Sequence, residues 1–163
     1  MASQIRRFRP GGFALLELVL ALGVIAVGVL AVLASISFSS RLSHMDRETA
    51  LAMETSEAML AAMRSVSFGD LYDQYGPGGT DTFSVTGLTP RTPGAAPGSI
   101  TLFVNETVSN PSLELPRDLN GDGDAADADV SGGYLLLPVR LRVEWIGSTG
   151  PRSFDLYSLM ANR

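Results

Sequence analysis

Apolar residues are unevenly distributed along the chain. Phe13 to Phe38 reads FALLELVLALGVIAVGVLAVLASISF, with Glu17 its only charge and no polar side chain between Leu18 and Ala34. A helix over this run is about 39 Å long, more than the roughly 30 Å hydrocarbon core of a bilayer. The spacing then changes. In Arg41–Val66 the residues Leu42, Met45, Met53, Leu60, Met63 and Val66, with Thr49 and Ser56 in the gaps, approximate a 3.6-residue stripe. Arg41, Asp46, Arg47, Glu48, Glu54, Glu57 and Arg64 fall largely off it. One helix is therefore predicted from about Phe13 to about Val66. It is hydrophobic all round over residues 13–38 and amphipathic over 39–66, where it should lie across a sheet. The methionines 45, 53, 59 and 63 read as adaptable core packing rather than a binding groove. His44 reads as a surface residue.

Residues 67–163 have the texture of a β head. Gly76-Pro77-Gly78-Gly79 and Thr89–Gly98 are turn and loop composition. Between them Thr82–Thr86 alternates as a strand does, and Ile100–Val108 is a second candidate. Tyr134–Ile146 is the strongest. Its Val139, Leu141, Val143 and Trp145 alternate with Arg140, Arg142 and Glu144, the pattern of a half-buried strand. Pro138 within it suggests an edge or a bulge. Gly147–Gly150 reads as a hairpin turn and Ser153–Met160 as the returning strand. The fold class expected is α+β, a long N-terminal helix packed on an antiparallel sheet.

Composition narrows the function. The 163 residues carry 12 basic side chains, all Arg, against 17 acids, for a net charge of −5. That balance argues against a nucleic-acid partner. The absence of Cys excludes a disulfide scaffold, a zinc-thiolate site and a thiol nucleophile. A single His makes a His-rich metal centre or a His-based triad improbable, and no enzymatic role is expected. The mean hydropathy of +0.20 belongs mainly to the apolar helix half.

Arg6, Arg7 and Arg9 precede the apolar run, while Arg41 and Arg47 follow it interleaved with Asp46 and Glu48. This bias places the N-terminus in the cytoplasm. Three readings of the run compete. A secretory signal peptide would be cut after Val32-Leu33-Ala34, but the apolar stretch is long for one. A plain membrane anchor leaves Glu17 without a role, although an ionised carboxylate in lipid costs several kcal/mol unless paired. The third reading places the cut before the run.

That reading comes from a resemblance. Gly12-Phe13-Ala14-Leu15-Leu16-Glu17-Leu18 resembles the type IV prepilin signature, G-F-T-L-x-E, behind a short basic leader, residues 1–12. Ala14 stands where Thr is common, and Gly11 where a basic residue often precedes the glycine. The resemblance implies cleavage after Gly12 by a prepilin peptidase and methylation of the new amine on Phe13. It further implies assembly with other pilin or pseudopilin subunits, with Glu17 fixing their stagger. The order of long helix, loop, strands and terminal hairpin is similar to pilins. The F-S-V-T-G-L stretch and the late W-x-x-x-x-G hairpin resemble minor pilins and minor type II secretion pseudopilins.

Elementary electrostatics bears on Glu17 independently. The Phe13 amine and the Glu17 carboxylate are each costly in lipid unless paired. Within one helix they lie four residues, one turn, apart. Pairing within a subunit and pairing between subunits both remain open at this level.

The acidic segment Asp118–Asp129 carries five carboxylates in twelve residues. With Asp118 at position one, Asp118, Asn120 and Asp122 fall at positions 1, 3 and 5, Gly123 at 6 and Asp129 at 12, the template of a calcium loop. Asp124 at position seven would offer its backbone carbonyl, and Ala126 at nine would leave a place for water. The loop resembles the Asp-terminated calcium loops of dockerin-type modules, without their paired helices. A structural calcium ion is expected there, against the bland reading of a solvated acidic turn. Asn105-Glu106-Thr107 matches the N-glycosylation pattern and is given little weight.

The function expected is a minor pilin-like structural subunit of a type IV pilus. It would reside in the bacterial inner membrane before assembly and in a periplasmic or surface filament afterwards. The alternatives are a type II secretion pseudopilin, a non-polymerising membrane-anchored calcium-binding domain, and a secreted domain released after Ala34.

Overall fold

The computed structural model describes residues 13–162. The chain divides into two compact units, Met1–Ser43 and His44–Arg163. Helix α1 (Phe13–Arg64) runs through the boundary. In the first unit it is long and apolar enough to cross a membrane, and its large aliphatic side chains from Leu15 to Ile36 are more than half exposed, as is Phe38.

The second unit is α+β. The helix stretch from His44 buries Ala52, Ser56, Leu60 and Met63, with Met45 and Thr49 half-buried, a stripe at three- and four-residue intervals. Ala52 is wholly buried while Met53 is 48% exposed, so Met53 is not part of the packing stripe. The polar members of the stripe are satisfied locally. The Ser56 hydroxyl donates to the Ala52 carbonyl at 2.8 Å and the Thr49 hydroxyl to that of Met45 at 2.9 Å. His44 is exposed, as its sequence setting indicated.

Four antiparallel strands form one sheet in chain order. They are β1 (Thr82–Phe83), β2 (Gly98–Leu102), β3 (Leu136–Gly147) and β4 (Gly150–Ala161). Val139, Leu141, Val143 and Trp145 are buried, while Arg140, Arg142 and Glu144 lie on the other face, as the alternation predicts. Phe154 and Leu156 of β4 stand opposite Val143 and Leu141 and share their face. The β3–β4 hairpin closes with Gly147 opposite Gly150.

Four expectations need correction. Pro138 lies not on an edge but in β3, which β2 and β4 flank. Its effect is on the β2 ladder. The Phe103 N–H donates to the Pro138 carbonyl at 2.9 Å, so the backbone polar groups of residue 138 face β2, and the reciprocal N–H is missing. Strand pairing therefore stops at Leu102 opposite Val139, and Phe103–Val108 leaves the sheet instead of extending the expected strand Ile100–Val108. The first strand is also shorter than Thr82–Thr86. A turn closes from the Leu88 N–H to the Val85 carbonyl, with Gly87 at φ +90°, although Phe83 and Val85 are both buried. Finally, the segment after α1 is not all loop. A 3₁₀ turn, η1 (Phe68–Asp70), leads into a short helix α2 (Leu71–Tyr75) that buries Leu71 and Tyr75.

Tyr134 ties this segment to the sheet. Its hydroxyl donates to the Phe68 carbonyl at 2.7 Å and accepts from the Tyr72 N–H at 3.3 Å, and its ring meets Phe68 edge-on at 4.9 Å. Burial raises the Tyr134 phenol above its ordinary range. At the other end of the sheet, Trp145, 1% exposed, donates from its indole to Glu48 of α1 at 3.1 Å. Arg152 lies over the Trp145 ring at 5.5 Å, reaches Glu48 at 3.7 Å and donates to the Met45 carbonyl at 3.1 Å. A Cβ at Gly147 would lie 2.5 Å from the Glu48 carboxylate, so the hairpin's glycine makes room for this clip.

Candidate functional sites

The first candidate site is on the apolar helix. Gly12, the expected cleavage residue, lies outside the described residues, as does the leader. Phe13 begins α1. Glu17 is exposed, set among exposed Leu15, Leu16, Leu18 and Leu20.

The second is the acidic loop, which lies in the excursion between β2 and β3. Its expected turn is present. Gly121 and Gly123 take φ of +82° and +101°, conformations open chiefly to glycine. Asp118 builds the turn by accepting from the Gly121 N–H at 2.6 Å and the Gly123 N–H at 3.0 Å. Asn120, Asp122 and Asp124 each accept from the N–H two residues on, the Asx pattern. The Asn120 amide donates to Asp122 at 3.2 Å and to Asp127 at 2.9 Å.

The structure thus sets Asp127 beside Asn120 and Asp122, not Asp129. Asp129 instead accepts from the Ser131 N–H at 2.9 Å, and that bond lowers its carboxyl below the ordinary range. The Asp124 N–H and the Asn120 amide do the same for Asp122. Asp127 moves the other way. Desolvation and then the Asp122 charge raise it. Among the described residues no three acidic or His side chains are gathered closely enough to hold an ion. Hydrogen bonding from backbone N–H groups still leaves these oxygens a further lone pair each.

A residue not among the expected ligands organises the loop. Glu106 is 0% exposed. One carboxylate oxygen accepts from the Leu119 N–H at 2.6 Å and the other from the Asp127 N–H at 3.2 Å. Its own N–H donates to the Asp127 carbonyl at 2.9 Å. It therefore grips both limbs of the acidic segment from the turn that precedes it. Leu119, wholly buried, anchors the loop beneath, its carbonyl accepting from the Leu135 and Leu136 N–H groups. No local signal marked it: Glu106 lies in a turn past the end of β2, and its burial depends on the acidic segment folding over it.

No known protein family, curated protein or solved structure matches the chain.

Proposed function

We propose that the chain is a minor pilin-like structural subunit, cleaved after Gly12 by a prepilin peptidase and assembled through the apolar half of α1 into a type IV pilus. A type II secretion pseudopilin is the neighbouring alternative. The reading is supported by one observation above all: from Leu15 to Phe38 the helix exposes its large apolar side chains, and Glu17 is the only charge among them. At about 1.5–3 kcal/mol for each large side chain covered, their collective burial outweighs the roughly 5–15 kcal/mol that holds a typical domain together. Such a surface requires lipid, other helices, or each in turn. In that setting Glu17 needs a cationic partner, and the Phe13 amine of a processed subunit supplies one. The role is packing and polymerisation rather than chemistry.

Intact mass and N-terminal sequencing of the mature protein test this. A chain beginning at methylated Phe13 supports it; a start at Ser35 or an uncleaved Met1 overturns it. Glu17→Ala is expected to leave membrane insertion intact and to lower filament incorporation on the order of ten-fold or more, because the partner amine is left unpaired in low dielectric. Unchanged incorporation removes the pairing argument.

We also propose that the acidic loop takes a structural calcium ion. The observation favouring it is that Asp122 and Asp127 share one neutral amide, and that desolvation and the Asp122 charge raise the cost of ionising Asp127, a repulsion a divalent cation relieves. Asp118, Asn120, Asp122 and the Asp124 carbonyl would hold it, with Asp127 rather than Asp129 as the nearer acid. Calorimetric titration with calcium should give heat, and saturation at a hundred times Kd should stabilise the head by about 2.7 kcal/mol. Asp127→Asn should weaken binding more than Asp129→Asn. Absence of both heat and a chelator-sensitive melt leaves a solvated acidic turn.

A further inference from the structure

The acidic turn contains the pair Asn120-Gly121, and of the four asparagines in the chain only Asn120 precedes glycine. Asparagine is among the thermolabile side chains. Its Cγ lies within reach of the next residue's backbone nitrogen, and a following glycine has no Cβ to hinder that approach. The turn imposes this pair. Gly121 has φ +82°, a conformation strained for other residues. Asn120 supplies both the acceptor for the Asp122 N–H and the donor that lies between Asp122 and Asp127.

In the closed turn both reacting groups are held. The Gly121 nitrogen, the nucleophile, donates its proton to Asp118 at 2.6 Å. The Asn120 Oδ1 accepts from the Asp122 N–H at 3.0 Å, and its Nδ2 donates to Asp122 at 3.2 Å and to Asp127 at 2.9 Å. Rotating the amide toward Gly121 breaks all of these bonds together. The limbs of the turn are held in their turn by buried Glu106, which accepts from the Leu119 and Asp127 N–H groups. Reaction at Asn120 therefore requires a local opening that gives up bonds to charged acceptors.

We propose that Asn120 is a self-modification site gated by the acidic turn: the closed turn protects it, the open turn lets it convert through a cyclic imide, and the product keeps the turn from closing again. The Gly121 nitrogen gives its proton to solvent and attacks Cγ of Asn120. The N–Cγ bond forms, the Cγ–Nδ2 bond breaks, and the amide nitrogen takes a proton from water and leaves as ammonia. Water then opens the imide at either carbonyl, leaving an aspartyl or isoaspartyl residue at position 120. Water is the only co-reactant and nothing is oxidised or reduced. An aspartyl side chain has no N–H to share between Asp122 and Asp127 and sets a third carboxylate beside them. An isoaspartyl residue adds a methylene to the backbone and displaces the turn's acceptors. The step is thus one-way, and it stands whether or not an ion occupies the loop.

Full-length protein in detergent is held in mildly alkaline buffer, with chelator so that no ion contributes. Samples are digested at intervals, and mass spectrometry with an isoaspartyl assay reads the peptide spanning position 120. The folded chain should convert at Asn120 on the order of ten-fold or more slowly than the same chain unfolded in urea. Asn105, Asn110 and Asn162, which lack a following glycine, serve as internal controls and should stay largely amidated in both. Glu106→Ala and, independently, Asp118→Ala should each speed conversion on the order of ten-fold with the circular dichroism spectrum of the head retained. Asp118→Ala frees the Gly121 N–H in a surface turn, so it decides the matter if Glu106→Ala does not fold. Asn120→Asp, which stands for one product, should quicken hydrogen exchange at Leu119 and Asp127 on the order of ten-fold. Equal conversion in the folded and urea-unfolded chain, no acceleration in Asp118→Ala, or unchanged exchange in Asn120→Asp overturns the proposal.

Discussion

Trp145→Ala should cost the head about 3–5 kcal/mol, the usual range for truncating a buried Trp. Trp145 is 1% exposed and belongs to the core cluster that includes Ala52, Ile100, Leu141 and Val143. Its removal leaves a cavity between sheet and helix that rigid neighbours cannot fill. It also strips the Glu48 carboxylate of its indole donor and Arg152 of the ring beneath its guanidinium. In a circular dichroism melt the loss corresponds to a fall in Tm on the order of 10 °C or more. Trp145→Phe separates the contributions: it retains most of the packing and forfeits the hydrogen bond, so a loss nearer 1–2 kcal/mol is expected. If Ala and Phe are equally damaging, the indole bond to Glu48 dominates and the cavity argument is wrong. Because Trp145 is the only Trp, its fluorescence also reports unfolding of the unmodified head.

Glu106→Ala is the second large effect, about 3 kcal/mol. Each carboxylate oxygen accepts one backbone N–H, a bond to a charged group is worth about 1.5–3 kcal/mol, and the orphaned donors of Leu119 and Asp127 would remain. The desolvation of the carboxylate itself offsets part of that gain, which keeps the expected figure below the sum. Glu106→Gln retains one acceptor but turns an amide N–H₂ toward a second donor, so an intermediate loss is expected. The damage should be local. Hydrogen exchange should quicken at Leu119, Asp127 and Val130 while the β3–β4 hairpin stays protected. Uniform loss of protection across the head would show instead that Glu106 supports the sheet and not the loop. Calcium affinity should fall in the same variants, since the loop's two limbs are no longer held.

Much of this architecture was legible in the residues. The alternation of Val139, Leu141, Val143 and Trp145 gave the buried face of β3, because a central strand with one buried face must alternate; the expected start at Tyr134 fell two residues before the strand's start at Leu136. The long helix and the terminal hairpin followed from equally local signals. What escaped was set by neighbours. The stripe of α1 passes through Ala52, whose small side chain carries little hydrophobic signal, and misses Met53, which carries much. The early end of β2 depends on which way the nitrogen of Pro138 faces, a matter of pairing register. Leu71 and Tyr75 lie one turn apart and could have announced α2, but the surrounding glycines dominated the local composition.

The acidic loop divides the same way. Its turn glycine and its Asx turns were inherent in the spacing of Asp118, Asn120, Asp122 and Gly123. The choice of Asp127 over Asp129 was not, because it depends on Glu106 drawing the Asp127 backbone inward from a different part of the chain. A template counted along the sequence has no means of registering that pull.

The exit of the chain from the sheet at Phe103 and its return at Leu136 bear on how this head can diversify. The two ends of the excursion are pinned side by side by the bond from Phe103 to Pro138, and Leu113, Leu115, Leu119 and Val130 within it belong to the core, so the exposed turn between Leu119 and Val130 is the part on which the strands do not depend. Closing a longer loop costs only about 0.6 kcal/mol for each doubling of its length. That turn can therefore gain, lose or exchange residues while the register of β2, β3 and β4 is preserved. It is the part of the head where an inserted or exchanged sequence disturbs the core least.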